Sequence, residues 1–530
     1  MKTKSIIMLA ASAAFLTLLS CKPEGPGTGK EPDQPDGQGY IPGTLVAEDN
    51  RTEVTLREGT GETKTLGFQY VTDKELAEAR TVTLAVDEAS TLPKENYAMP
   101  ESLTVEAGSD SSEMLELTFK AEGLEAGQYT LVLREVLEEE DDVKASEPLE
   151  FNVTVRTPQA ATYGFLPDYV TVCYVNTNDY QPLLADATIL QLMKRRADPI
   201  NYYPFNIVNL RTIVLKDNDG RAELVLGRDM EHVLANRAKY IVPMQDKGRK
   251  ICLTLEGGGT GLGFCNLTDG QIDDFVAQVK KVIYDNDLDG VNFFDKGAAY
   301  DKAEENGLPA MNTTSYPKLI QKMRAALPGK LVTLADYEEP TAYFHDTEAT
   351  GGIKVGKYID YAWSGYMERE QPLQILDPWG LVDPNDPKVK EAETLVLENL
   401  GLEGSFSLKP YERKPIAGLT PDRYSNVACP YNSNEWLYKN ESEISYNLFT
   451  FAYCGWWRSN VLVFGDIMSN HQNEYEGAWN TIVPTYYEHV LPSRSLGTGE
   501  YSYNIVENRE DYSEDETLFT FYGWFSKDWE

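Results

Sequence analysis

From residue 163 onward the sequence keeps one grammar, a short apolar run followed by a stretch with helical spacing, and this constrains the fold more than any other feature. Runs at 169–176, 206–215, 250–255, 288–296, 330–337, 358–366 and 459–466 read as strands. Between the third and fourth of them, Ile272, Phe275, Val276, Val279, Val282 and Ile283 recur every three to four residues, one face of a helix over 271–284. A closing helix is expected near 473–490. Strands alternating with helices imply a parallel sheet, and a run this long implies an α/β barrel with its ligand site at the C-terminal strand ends.

The run at 288–296, Leu-Asp-Gly-Val-Asn-Phe-Phe-Asp-Lys, carries the most chemical information. Side chains alternate along a strand, so Asn292, Phe294 and Lys296 share one face, and Phe293 and Asp295 share the other. A competing reading takes Asp285-Asn286-Asp287-Leu288-Asp289-Gly290 as the first half of a calcium loop. Its twelfth position is Lys296, where calcium requires a bidentate glutamate, so a turn feeding a strand is the better account.

Before the barrel the pattern changes. Residues 1–21 pair a basic start, Lys2 and Lys4, with an apolar run from Ile6 to Leu19, and Leu18-Leu19-Ser20-Cys21 looks like a bacterial lipobox. The expectation is a lipoprotein lipidated at Cys21, in the outer membrane and exposed at the cell surface, with membrane contact through the lipid alone. Residues 22–42, rich in Gly, Pro and Asp, cannot bury a core and read as a tether. Over 43–157, alternating runs such as 52–56, 81–86, 129–133 and 151–155 predict an antiparallel β-sandwich, with Glu138–Asp142 as a solvated hairpin tip. Residues 496–530 receive no assignment beyond a strand-like 519–525.

Composition removes several functions. A net charge of −36 would repel nucleic acid. Four histidines and cysteines without framework spacing leave little for a metal or a histidine-based triad; no cofactor or metal is expected, and the cysteines after Cys21 read as small buried hydrophobes. The glycine-rich Gly257–Gly263 lacks the Lys-Ser/Thr of a phosphate loop and reads as a barrel loop where backbones approach closely.

With these residues in place, the 288–296 run resembles the signature strand of glycoside hydrolase family 18, Asp-Gly-x-Asp-x-Asp-x-Glu, and in particular its endo-β-N-acetylglucosaminidase branch. Residues 178–183 resemble that branch's first loop, and Gly418–Arg423 leading into 427–431 resembles the start of its seventh strand, which completes eight. Residues 97–105 and 127–129 resemble the small sandwich that precedes such barrels in surface lipoproteins of gut-commensal glycan-uptake systems. The resemblance implies that positions 292, 294 and 296 should hold the acids that orient the substrate's acetamido group and protonate the leaving oxygen. They hold Asn292, Phe294 and Lys296. Phenylalanine cannot orient an acetamide, and a lysine, with an ordinary pKa of about 10.4, is too weak an acid and opposes the cationic transition state.

The implied function is capture of glycans bearing N-acetylglucosamine, of N-glycan type, without cleavage. Strand ends supply the candidate ligands: Asn176, Asn178, Glu256, Asn292, Lys296, Tyr337, Trp363 and Tyr366, the last standing where the family's tyrosine supports the acetamide. Aromatic faces cover sugar C–H faces while amides and carboxylates take hydroxyls. Lys296 points weakly to an anionic or acetamido-bearing glycan. Partners would be the glycan and, in the same uptake system, components of an outer-membrane glycan transporter. Two alternatives stay open at this point: an active glycosidase with relocated carboxylates (Glu256, or Asp295 if a bulge turned it inward), and a structural transporter subunit.

Overall fold

The computed structural model describes residues 41–136, 146–194 and 197–367, and then 373–374, 376–380, 387, 406–407, 413–426, 428–429, 460–467, 501–512, 518–520 and 523–530. Cys21, the tether through residue 40, the acidic run 138–142 and the helix expected near 473–490 lie outside the described residues.

The N-terminal part folds as two sheets. Gly43–Ala47, Thr63–Thr72, Leu115–Lys120 and Tyr97–Ala98 form one, and Glu53–Arg57, Leu149–Arg156, Gly127–Val136, Arg80–Val86 and Ser102–Val105 form the other. Alternation sends Phe68, Tyr70, Leu117 and Phe119 from the first sheet, and Leu56, Leu131, Phe151 and Val153 from the second, into one shared core. Phe119 and Phe151 meet across it with ring centroids 5.7 Å apart. The expectation of purely antiparallel pairing is corrected at one place: Glu53–Arg57 runs parallel to Leu149–Arg156.

The second part is a parallel barrel. Its first six strands are Val170–Asn176, Ile207–Asn218, Lys250–Gly257, Gly290–Phe293, Leu331–Asp336 and Tyr361–Ser364, each hydrogen-bonded to the next. The seventh is split: Tyr424–Ser425 pairs with the sixth, and Ala428–Cys429 pairs with the eighth, Val461–Asp466, which returns to the first. The sheet therefore nearly closes on itself. Alternation divides it into two layers. Val172, Ile207, Cys252, Phe294, Trp363 and Val463 fill the interior. Val208, Leu253, Val291, Phe293 and Leu334 face outward, where they share one core with Ile272, Phe275, Val279 and Ile283 of the helix Asp269–Asp285. That helix starts on a capping box, Thr268 with Gln271. The three cysteines with described surroundings, Cys173, Cys252 and Cys265, are free and buried.

Glycine matters where backbones touch. A Cβ on Gly290 would lie 2.2 Å from the Leu331 carbonyl oxygen, and one on Gly257 would lie 2.2 Å from the Ala298 nitrogen. The glycine-rich loop is thus a close-packed layer against the loop that follows strand four, held by Gly257 N–H donating to Lys296 O at 2.7 Å.

The two-sheet part meets the barrel at the N-terminal ends of strands three and four. Arg57 and Arg156 both pair with Asp246, the former at 3.2 Å, and Lys64 pairs with Asp287 at 2.5 Å. This contact lies at the end of the barrel opposite the C-terminal strand ends.

The region left without assignment belongs to the barrel part. Tyr501–Glu507 pairs antiparallel with Thr188–Lys194, extending a small sheet with Ile200–Tyr203 and Gly164–Phe165. Under it sits a buried ionic cluster in which Lys247 and Arg249 meet Asp186, and Lys247 also meets Asp511 at 2.8 Å. Two cations against two carboxylates, with the Tyr512 hydroxyl donating to Asp186 at 2.6 Å, is the arrangement that makes burial of charge tolerable.

Candidate functional site

The inward positions at the C-terminal strand ends define the mouth, and they fall into a floor, an ionic wall and an aromatic wall. The floor is a hydrogen-bonded plug. Trp363 Nε1 donates to the Tyr174 hydroxyl at 2.8 Å, which donates to Asn292 Oδ1 at 2.8 Å, and Asn292 Nδ2 donates to Thr333 Oγ1 at 3.0 Å. Tyr174 and Trp363 also meet edge to face at 6.3 Å. All four residues are fully buried. Burial, eased by the indole N–H and Arg211, holds the Tyr174 hydroxyl well above its ordinary pKa. Asn292 and Trp363, both expected among the ligand contacts, point inward and are fully buried beneath the mouth.

The ionic wall comes from strands two, three and eight. Arg211 shares the inward parity of Ile207 and Asn209, and its guanidinium grips Glu256 with two bonds, 2.6 Å from Nε and 2.9 Å from Nη2. Its Nη1 donates to Asp466 at 2.7 Å. Burial alone would lower the Arg211 pKa, but the two carboxylates outweigh it and raise it. A bidentate, charge-assisted pair of this kind fixes the orientation of both side chains. The Arg211 guanidinium also lies 5.5 Å from the centre of the Phe294 ring.

The aromatic wall comes from strands four to six. Phe294 meets Tyr337 at 5.5 Å, and Tyr337 meets Tyr366 at 5.0 Å. Gly365 permits this contact, because a Cβ there would stand 2.7 Å from Tyr337 Cβ. Burial raises the Tyr366 pKa against a hydrogen bond and the positive charge of Arg413. Arg413 also reaches the Glu338 carbonyl at 2.5 Å and Asp336 at 3.4 Å.

Lys296 does not continue the strand. Its N–H donates to Phe294 O at 2.7 Å, a three-residue turn, and the side chain is half-buried beyond the point where strand alternation ends. Asn176 and Asn178 sit on the rim. Asn176 Nδ2 donates to Asp179 at 2.9 Å, and Asn178, exposed, donates to Thr212 Oγ1 at 3.2 Å.

Asp295 faces away from the mouth, as parity requires. It is buried behind the strand, accepts from the Tyr300 hydroxyl at 2.5 Å, and has the Cys265 thiol 3.6 Å away. Burial pushes its pKa up to about 7, against the lowering effect of bonds from Tyr300, Cys265 and the Phe264 N–H. No bulge turns this side chain inward. Arg211, Asp466 and Arg413 escaped the sequence reading. Arg211 leaves a trace, a cation inside the apolar run Val208-Asn209-Leu210-Arg211-Thr212-Ile213, and Asp466 closes the eighth run; Arg413 leaves none.

The fold and mouth together define a parallel eight-stranded α/β barrel whose fourth strand presents no inward carboxylate among the described residues. No protein-family model matches the chain. Two curated proteins are similar to it: endo-β-N-acetylglucosaminidase F1 of Elizabethkingia meningoseptica, 33% identical over 138 residues, which are 26% of this chain and 40% of that protein; and an endo-β-N-acetylglucosaminidase of Flavobacterium sp. (strain SK1022), 31% identical over 197 residues, 37% of this chain and 58% of that protein. The chain spans about half the length of these relatives. Among solved structures, Bacteroides thetaiotamicron EndoBT-3987 with Man5GlcNAc product aligns at 16% identity and a TM-score of 0.35, over 69% of this chain and 88% of that one. A GH18 chitinase from Pseudoalteromonas aurantia aligns at 15% identity and 0.31, over 56% and 94%. Overlaps this loose carry no argument. The two sequence relatives and the barrel itself support a family-18-like fold.

Proposed function

We propose that this chain is a non-catalytic glycan-binding protein that holds N-acetylglucosamine-containing glycans of N-glycan type at the barrel mouth. The observation that carries the reading is the electrostatic state of the mouth. Strand four sends inward only Asn292 and Phe294, and the nearby Glu256 and Asp466 are both ion-paired to Arg211. A general acid must hold a proton near neutral pH and reach the glycosidic oxygen. Glu256 has both oxygens engaged by Arg211, and Asp295, whose pKa burial pushes up to about 7, lies behind the strand, out of reach. What is left suits binding: the half-buried ring of Tyr337, backed by Tyr366 at only 8% exposure, offers an apolar face, while Asn176, Asn178 and the partly open Asp466 offer donors and acceptors for hydroxyls.

The setting supports capture at a surface. A lipid on Cys21 and a tether over 22–42 would hold the folded part near an outer membrane, where crowding raises the effective affinity of a weak site. The two-sheet part, read as a β-sandwich spacer, contacts the barrel at the end away from the mouth, which leaves the mouth open to glycan and to transporter components of the same uptake system. Changing Cys21→Ala should move the protein from the membrane fraction to the soluble one; retention in the membrane would contradict the anchor.

Titration calorimetry with a glycopeptide carrying an N-glycan tests the binding reading. Binding that weakens about tenfold or more in Tyr366→Ala, the range of an aromatic anchor, with the fold intact, is the expected result. No binding to any N-acetylglucosamine-containing glycan would favour a purely structural subunit.

A further inference from the structure

We infer that residues 523–530 form a strap that positions the first mouth loop, 176–181, for glycan binding; the inference rests on the functional reading above and deepens it.

The loop carries three polar side chains at the rim, Asn176, Asn178 and Asp179. Its inner half is shaped from within. The Asp179 and Tyr180 N–H groups donate to Asn176 O at 3.1 and 3.0 Å, and Asn176 Oδ1 accepts from the Asn178 N–H at 3.1 Å. Its outer half is held by the strap. Gln181 N–H donates to Phe525 O at 3.1 Å, Gln181 Nε2 donates to Ser526 O at 3.0 Å, and Tyr180 bridges to Ser526. Gln181 is only 2% exposed, so these bonds form away from competing water.

The strap is itself pinned at both ends. Phe525 is buried, meets Tyr512 edge to face at 5.3 Å, and holds a left-handed backbone with φ 53°. A residue with a Cβ adopts that conformation only where its surroundings impose it. At the other end the Trp529 ring stacks on His232 at 4.8 Å and 17°, and its Nε1 donates to Asp229 at 2.8 Å. Lys527 pairs with Asp229 at 3.0 Å, and Asp528 accepts from the Tyr240 hydroxyl at 2.5 Å. The helix Arg228–Ala235 is thereby tied to the loop through the strap.

The charges agree with this placement. Burial raises the Asp179 pKa, and among the charges acting on it are Asp466 of the ionic wall, Lys527 of the strap, and Asp229. The strap's lysine and the mouth's carboxylates therefore share one electrostatic neighbourhood, so moving the strap changes what the rim offers a ligand.

Gln181, Phe525 and Trp529 are thus positioning residues, and the full-length chain with Trp529→Ala tests them. Three readouts are taken: the dissociation constant for an N-glycan glycopeptide, the melting temperature, and amide hydrogen exchange at 178–181. The expected result is faster exchange at the loop and glycan binding weaker by about fivefold, with the melting temperature little changed. Trp529→Phe, which keeps the stacking on His232, should recover most of the affinity. Combined with Asn178→Ala, Trp529→Ala should add little further loss, because both act through one loop. Losses that multiply independently, or loop exchange unchanged in Trp529→Ala, would overturn the strap. If Trp529→Ala does not fold, Gln181→Ala removes the Nε2 contact alone and is read the same way. A wild-type chain that binds no glycan would remove the functional reading, and the loop exchange would then decide the strap by itself.

Discussion

Glu256 and Asp295 end neighbouring strands of one barrel, and their surroundings could hardly differ more. Glu256 points into the mouth and is gripped by Arg211 with two bonds. Asp295 points out, behind the strand, where burial pushes its pKa up to about 7 and a tyrosine hydroxyl and a thiol are its side-chain neighbours. One carboxyl is at the mouth but taken up by an arginine; the other, with a raised pKa, is buried away from it. Strand parity and a single arginine produce both placements, and on the function proposed above they are how the mouth would hold a sugar without cutting it.

Breaking the clamp should have the largest effect. Arg211→Met leaves Glu256 and Asp466 facing each other without a cation, and removing one partner of a buried charge group costs about 3–5 kcal/mol. Denaturant unfolding of this variant should show a loss of that order, and adding Glu256→Gln should recover part of it. An unchanged midpoint would mean that Arg211 does not neutralise the ionic wall.

Asp295 should show itself through pH. Its folded pKa of about 7 stands above the ordinary aspartate value of about 3.9, so the folded state keeps a proton that the unfolded state has lost. The carboxyl therefore costs nothing below about pH 4, and the stability of the protein falls as pH rises from about 4 to about 7. Asp295→Asn, which removes the ionisation, should gain on the wild type by up to a few kcal/mol at pH 8, at about 1.4 kcal/mol per pKa unit, and gain little at pH 4. Parallel melting curves for the two proteins from pH 4 to 8 would place Asp295 in contact with solvent or a cation.

Much of the barrel was legible because its strands are buried on both faces and read as unbroken apolar runs. The close approach in the glycine-rich loop was legible too, since only a residue without Cβ fits against Ala298. Depth was not. Parity correctly sends Asn292 and Trp363 inward, but which inward residue reaches the mouth depends on the stagger of neighbouring strands, and no single strand encodes that. The clamp was hidden for a related reason. Arg211, Glu256 and Asp466 are separated by long stretches of sequence, and only barrel closure brings them within hydrogen-bond distance. The pairing of 501–507 with 188–194 is equally non-local, which left the last residues without an assignment.

The most direct test of the central claim is a mass measurement. A glycopeptide bearing a single N-glycan is incubated with the native chain, at a concentration where binding is seen by calorimetry, and its mass is then read. The account requires the glycopeptide to be bound and recovered intact over the pH range 5–8, the window in which a glycosidase acid would work. Release of the glycan with one N-acetylglucosamine left on the peptide, and its loss in Glu256→Gln, would show that the mouth carries a working acid and would contradict the account.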